Sequence, residues 1–491
     1  MVRDAAFPAG AGCERAGPVK KPWLGIWLLF AALFILLGTR GLTEPDEGRY
    51  AEVAREMVVG GSWLVPHLNG FEHLQKPPLI YWATAVCFKL FGLNEWAARL
   101  PSALAACGIL LMTMGITRRF WGEERARIAA IILVGNLLFF ALARSLTPDM
   151  LMAFFITAAI GAAVFERRWL FFIMMGLGFL TKGPMALVVP LCTVAGMHLA
   201  RDKSLPRVRF PWVRGLGLSL LIGLSWFILL ALLQPPLFEY FLKYELLERF
   251  ASTTHGRSKP FWFFIPVLTL GFLPWTWLVP GLMRKAWSKF RAHEITPAHG
   301  LLLGWAVIPF IIVSLSGSKL LTYVLPLVPA LAIATSACFT SVRQVVRIAV
   351  PALVIFLLIV ASAPFANDAL KQQASVRSLA EILKARPDAA SALIFSSDLR
   401  AHGFSFYLGR LVHMTENDAD IVMPLNAQQK SRLIRENESA AVLFKNTPAY
   451  GLVRSRRFKK EFEGLGWKAI DRAGDFVLVS NADLITPSSP P

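Results

Sequence analysis

Asp46 and Glu47 stand side by side in "TRGLTEPDEGRYAEVAREM", directly after an apolar stretch at residues 23–38. Asp149 repeats the situation in "RSLTPDM", where another apolar run begins. A carboxylate held where water meets lipid suits a general base acting on a hydroxyl. Acids at a helix start also complement the helix dipole, so fold alone would tolerate them there. Cations share the setting: Lys76 in "QKPPL", Lys182 in "LTKGP", His255 and Arg257 in "THGRSKPF", and Lys319 with Tyr323 in "SGSKLLTYVLP". Singly, each reads as a headgroup-facing anchor. As a set beside two carboxylates they make a site for phosphate oxygens, which Lys and Arg bind through charge-assisted hydrogen bonds.

Other clusters point to less. His67 and His73, with Glu72 between them, have the chemistry of metal ligands, but their spacing matches no common metal motif. The expectation is that no metal site and no required cofactor is present, with a divalent ion as the alternative. Asp418 and Asp420 in "NDAD" resemble the acidic pair of nucleotide-sugar transferases, and read more simply as a solvated acidic loop. The five cysteines form no CxxC spacing, and there is no Gly-rich phosphate loop or dinucleotide fingerprint.

The elements that must position these residues are membrane helices. The 491-residue chain is 55% hydrophobic and only 17% charged, with a mean hydropathy of +0.52, too little polar surface to cover a soluble protein of this size. Apolar runs fall at residues 23–38, 97–116, 128–143, 150–165, 169–180, 184–199, 215–233, 261–282, 300–315, 320–339 and 348–365. The net charge of +19 does not mark a nucleic-acid binder, because Lys and Arg gather in short clusters between these runs. With about eleven crossings every cluster falls on one side, the side that retains basic loops in the cytoplasm. The acids and the candidate phosphate ligands then lie on the opposite, extracytoplasmic side. Parity requires residues 77–91 to lie at the interface with Lys89 snorkelling; if they span, Asp46 and Asp149 end on opposite faces.

Three parts are expected: a cytoplasmic tail at 1–21, a membrane domain at 22–365 with an outer loop at about 39–96, and an α/β domain at 366–491 outside the cytoplasm. In the last, "VRSLAEILKARP" reads as an amphipathic helix, "SALIFSS" and "FVLVS" as strands, and "HGFSFYLG" as a helix.

The string "EPDEGRYAEVAREMVVGGSWLVPHLNGFEHLQKPPLIYWATAVCFKLFG", followed by "NEWAARLPSA", "LTPDM", "LTKGP" and "SKLLTYVLPLVPAL", resembles the bacterial aminoarabinose transferase branch of the GT-C glycosyltransferases, relatives of the protein O-mannosyltransferases. The resemblance covers about residues 23–339. It implies an inner-membrane transferase that takes a sugar from a polyprenyl-phosphate donor at the periplasmic face and passes it to a lipid, glycan or protein acceptor. By motif position, Asp46 is the catalytic carboxylate with Glu47 beside it, and Asp149 is the second acid. Lys76 and Tyr323 contact the donor phosphate, and His255 and Arg257 line the loop above it, with Lys319 nearby. Family members often carry Glu before the Lys-Pro-Pro; here it is Gln75. The competing reading is a transporter or lipid flippase, which calls for ionisable residues near mid-span and an internal repeat. Neither is evident, since the ionisable residues gather at one face.

Overall fold

The structure, a computed structural model, describes residues 22–200, 210–234, 259–362, 375–397, 401–416, 421 and 424–481. The expected tail at 1–21 lies outside them. Helix α1 (Pro22–Phe34) leads through a turn to α2 (Asp46–Gly60). On α2, Tyr50, Val53, Ala54 and Met57 are buried on the face that their spacing predicts. A hairpin of β1 (His67–Leu68) and β2 (Phe71–Glu72) follows, and then α3 (Leu79–Phe91). Its turn is Asn69-Gly70, both residues with positive φ (53° and 77°), the pairing that a two-residue hairpin favours. Lys89 on α3 sits over the Trp63 ring at 4.9 Å.

The bundle is built from α4 (Glu95–Val134), α5 (Leu137–Ala143), α6 (Pro148–Val164), α7 (Arg168–Lys182), α8 (Met185–Leu199) and α9 (Trp212–Leu233). Further helical segments follow at Pro297–Leu315, Leu321–Ser336 and Val342–Ser362. Helix α4 is two limbs joined at Gly122, whose φ of 85° breaks the helical path between the basic residues Arg118, Arg119, Arg125 and Arg127. Two expected runs prove discontinuous. Residues 128–143 are interrupted where the Asn136 side chain caps α5, and α5 meets α6 at 113°. Residues 261–282 divide at Pro274 into limbs 118° apart, since proline supplies no N–H and crowds the preceding turn. Among the described residues four helices are long and apolar enough to cross a membrane, or six if each bent pair is one span. The runs at Leu79–Phe91, Met185–Leu199 and Leu321–Ser336 are shorter.

Interior and lipid-facing helices are readily distinguished. The most apolar stretch of Val342–Ser362 is only 11% buried and that of α9 22%, whereas α4 is 67% buried. Apolar surface left open on this scale belongs in lipid. Where broken helices leave carbonyls free, buried indoles satisfy them: Trp275 donates to Ile132 O (3.0 Å) and Trp305 to Pro326 O (2.8 Å). Gly178 lets α7 approach both α8 and α6, since a Cβ there would meet Ala186 of α8 at 2.7 Å and Phe155 of α6 at 3.2 Å. One turn further along α7 stands Lys182.

The C-terminal region carries β3 (Leu393–Ser396), β4 (His413–Thr415), β5 (Leu433–Ile434), β6 (Ala449–Arg454), β7 (Lys468–Ala473) and β8 (Phe476–Ser480). They form one sheet ordered β5-β4-β3-β6-β8-β7, parallel from β5 to β6 and antiparallel across β8 and β7. Every residue of β8 is buried, as a strand flanked on both sides requires. Helix Arg377–Lys384 buries Leu379, Ala380 and Leu383, and the short helix Gly403–Leu408 faces α2.

Candidate functional site

The site begins with the α1–α2 connection, and what fixes that connection is Glu47. Its carboxylate is 1% exposed and receives Arg99 through Nε and Nη2 (both 2.9 Å), Arg40 (2.9 Å), the Thr43 N–H and hydroxyl (both 2.9 Å) and the Leu146 N–H (2.9 Å). Burial alone would favour the protonated form, but Arg99 and Arg40 outweigh it and hold this carboxyl far below the usual range. Arg99 in turn ties down the carbonyls of Leu37, Arg40 and Gly41. With both oxygens fully engaged, Glu47 has nothing left to offer a substrate. The catalytic expectation for Glu47 is therefore replaced by that of a buried fastener joining α2, α4 and the α5–α6 break.

Its neighbour is arranged oppositely. The Asp46 side chain is 61% exposed and pairs only with Arg49, one helical turn on, at 2.6 Å among the described residues. Arg49 also lies over the Tyr50 ring at 5.4 Å. Burial raises the Tyr50 hydroxyl pKa, Arg49 opposes the rise, and the fields of Asp46 and Asp149 add to it.

Asp149, at the first turn of α6, is buried and salt-bridged to Lys182 at the end of α7. The Lys182 ammonium stands 5.2 Å from the centre of the Tyr323 ring. The antiparallel α6–α7 pair thus brings "LTPDM", "LTKGP" and "SKLLTY" to one end of the bundle. The Glu47–Leu146 hydrogen bond places the start of α2 at that same end. The alternative with Asp46 and Asp149 on opposite faces is excluded.

Lys319 is buried and donates to the Ser316 carbonyl. Lys76 is half-buried in the loop between β2 and α3. His255, Arg257, Asp418 and Asp420 lie outside the described residues. Among the described residues, no three His, Cys, Asp or Glu side chains converge as metal ligands would. Sequence reading missed Arg49 and Tyr50 as neighbours of the acid, although their spacing of three and four from Asp46 is the signal for helical adjacency.

The region below this site meets the C-terminal sheet through polar contacts. Tyr407 accepts the Leu42 N–H at 2.7 Å and donates to Glu95 at 3.1 Å. Arg377 pairs with Glu95 at 3.1 Å. Asn69, in the hairpin turn, donates to the Val412 carbonyl (2.6 Å) and accepts the Val412 N–H (2.8 Å). The Asn69 and Gly70 N–H groups both donate to Glu56 of α2.

Comparison with known proteins shows what these features resemble. A family profile described as dolichyl-phosphate-mannose-protein mannosyltransferase matches residues 75–228. The undecaprenyl phosphate-alpha-4-amino-4-deoxy-L-arabinose arabinosyl transferase 1 of Sodalis glossinidius is 36% identical over 332 residues, 64% of this chain and 58% of that protein. The corresponding transferase of Aeromonas hydrophila is 33% identical over 323 residues, 63% of this chain and 58% of its own. The chain thus spans under three fifths of the length of these curated relatives. The crystal structure of ArnT from Cupriavidus metallidurans bound to undecaprenyl phosphate superposes with a TM-score of 0.77 at 24% identity, covering 96% of this chain and all of that one, which shows a shared fold. The chain is thus similar in sequence to the aminoarabinose transferases over about two thirds of its length and shares the fold of ArnT, the resemblance that its motifs carry.

Proposed function

We infer that this protein is a glycosyltransferase of a bacterial cytoplasmic membrane, moving a sugar from a polyprenyl-phosphate donor to a lipid, glycan or protein acceptor at the extracytoplasmic face. The observation that carries the reading is Asp46, an exposed acid at the bundle end where Asp149, Lys182 and Tyr323 gather. Arg167 and Arg168 at the α6–α7 turn lie at the opposite end of those helices, as do the arginines around Gly122 at the far end of the first α4 limb. Basic loops at that end support a cytoplasmic N-terminus, about eleven crossings and an outward-facing site. The C-terminal sheet, joined to the site's own loops, lies on the outer side in this reading.

Donor and acceptor oxygens are exchanged at one carbon. The bond from the sugar C1 to the donor phosphate oxygen breaks, and its electron pair leaves on that oxygen. The acceptor oxygen bonds to C1, and its proton passes to the Asp46 carboxylate. Lys76, Lys319 and the Tyr323 hydroxyl, with His255 and Arg257, stabilise the charge that gathers on the leaving phosphate. The donor bond supplies the energy, so the reaction needs no cofactor. Names of the relatives favour undecaprenyl phosphate-linked 4-amino-4-deoxy-L-arabinose as donor; the acceptor in this reading is a lipid A-like molecule.

The decisive measurement is transfer by protein reconstituted in liposomes with that donor and a lipid A-like acceptor. Asp46→Asn is expected to insert and bind undecaprenyl phosphate normally while losing transfer. Normal transfer by this variant would sink the assignment.

A further inference from the structure

The loop that delivers Asp46 is held from two sides. Glu47 fastens it to the membrane helices; Glu44 fastens it to the C-terminal region. Glu44 Oε1 accepts the Gly403 N–H at 2.8 Å, a bond between residues 359 apart in the chain. Its second oxygen, Oε2, is inaccessible to solvent and has no hydrogen-bond partner among the described residues. Two glycines make room for this carboxyl. A Cβ at Gly48 would stand 2.5 Å from both of its oxygens, and one at Gly403 would overlap Oε1. Beside it, the Tyr407 hydroxyl holds the Leu42 N–H. Both anchors, Gly403 and Tyr407, belong to helix Gly403–Leu408.

We propose that helix Gly403–Leu408 is a positioning element of the transfer site, and that Glu44 is the positioning residue through which it sets Asp46, two residues on. The proposal rests on the reading of Asp46 as the catalytic carboxylate. It gives the C-terminal sheet a role in transfer, because without that sheet the loop carrying the acid keeps only its membrane-side fastening.

The same geometry supplies a signature that simple structural support would lack. Burial pushes the Glu44 carboxyl up to about 8, the Gly403 N–H opposes this, and Glu47 adds to it. The charged groups around it are Glu47 and Arg49 on α2, and the His402 backbone N–H at the start of the C-terminal helix, like Arg49, favours the ionised form. Because this carboxyl keeps its proton longer when docked than when free, docking is strongest below the ordinary carboxylate range. It weakens as pH rises toward about 8 and is weakest above that.

The experiment compares full-length Glu44→Ala, Glu44→Gln, Gly403→Ala and Tyr407→Phe in liposomes, measuring transfer and undecaprenyl phosphate binding on both sides of pH 8. Glu44→Ala and Gly403→Ala are expected to lower turnover by about 10²-fold, the scale for a misplaced catalytic group, with binding retained. Tyr407→Phe should lower it less. Glu44→Gln keeps the acceptor oxygen without a titrating proton, so it should restore turnover and abolish the alkaline fall seen in wild type. Wild-type turnover in Glu44→Ala, or an unchanged alkaline fall in Glu44→Gln, would overturn the positioning role. If Gly403→Ala does not fold, the two Glu44 variants decide alone. Retained transfer in Asp46→Asn would instead overturn the catalytic reading and this proposal with it; loss there beside normal Glu44→Ala overturns only the positioning.

Discussion

The starts of α2 and α6 look alike in sequence and differ in the fold. Each is a Pro-Asp pair, Pro45-Asp46 and Pro148-Asp149, opening a helix at the same end of the bundle. Asp46 is exposed, and its partner Arg49 is one turn away on its own helix. Asp149 is buried, and its partner Lys182 comes from a different helix. An ion pair within one helix whose acid is exposed contributes roughly 0–1 kcal/mol and leaves the acid able to change partners. A buried pair between helices cannot be opened without stranding a charge. The one acid is thus open to solvent, as the proposed role on a substrate requires, and the other holds the frame.

The largest expected effect that tests this contrast is on rate. Asp46→Asn should reduce transfer by about 10²- to 10⁴-fold while thermal unfolding stays as in wild type. A matching loss of stability would erase the distinction between the two helix starts.

Next comes Glu47→Gln, which leaves Arg99 and Arg40 without their buried counter-charge. A loss of about 3–5 kcal/mol should appear as a lowered unfolding temperature in detergent. Full stability with lost transfer would return Glu47 to the catalytic candidates. Asp149→Asn should be destabilising too, through stranded Lys182, and adding Lys182→Met should recover part of that stability; absence of recovery would show that the pair does not act as a unit. The smallest effect belongs to Arg49→Gln, within about 1 kcal/mol in stability. A change in the rate of transfer, rather than in unfolding, is its expected mark, since Arg49 is the only salt-bridge partner of Asp46 among the described residues.

Much of this was legible from local pattern. The buried face of α2 follows from spacing of 3.6, and the β3 and β8 strands and the helix Gly403–Leu408 fall on the segments read as such. The gathering of acids at one end of the bundle followed from the one-sided basic clusters. What escaped was set by distant partners. Nothing near Glu47 announces Arg99, 52 residues on, so the sequence offers two equivalent acids where the fold distinguishes a fastener from an exposed group. The hairpin at His67–Glu72 escaped although Asn69-Gly70 is its strongest local signal, because strands of two residues show no alternation. Continuous apolar runs at 128–143 and 261–282 hid their breaks, since hydropathy does not register where a backbone turns.

The Asn69 clamp has a consequence in time. Its bonds to Val412 join residues 343 apart. At a synthesis rate of about 5–20 residues per second, roughly 20–70 s pass between the emergence of the hairpin turn and that of its partner. During that interval the polar turn and the Glu56 side chain must be kept from other partners, and the loop that carries Asp46 cannot take its final form. Newly made chains accordingly cannot close these contacts until their last quarter has been synthesised, so the loop takes its final form in step with completion of the chain rather than with insertion of its helices.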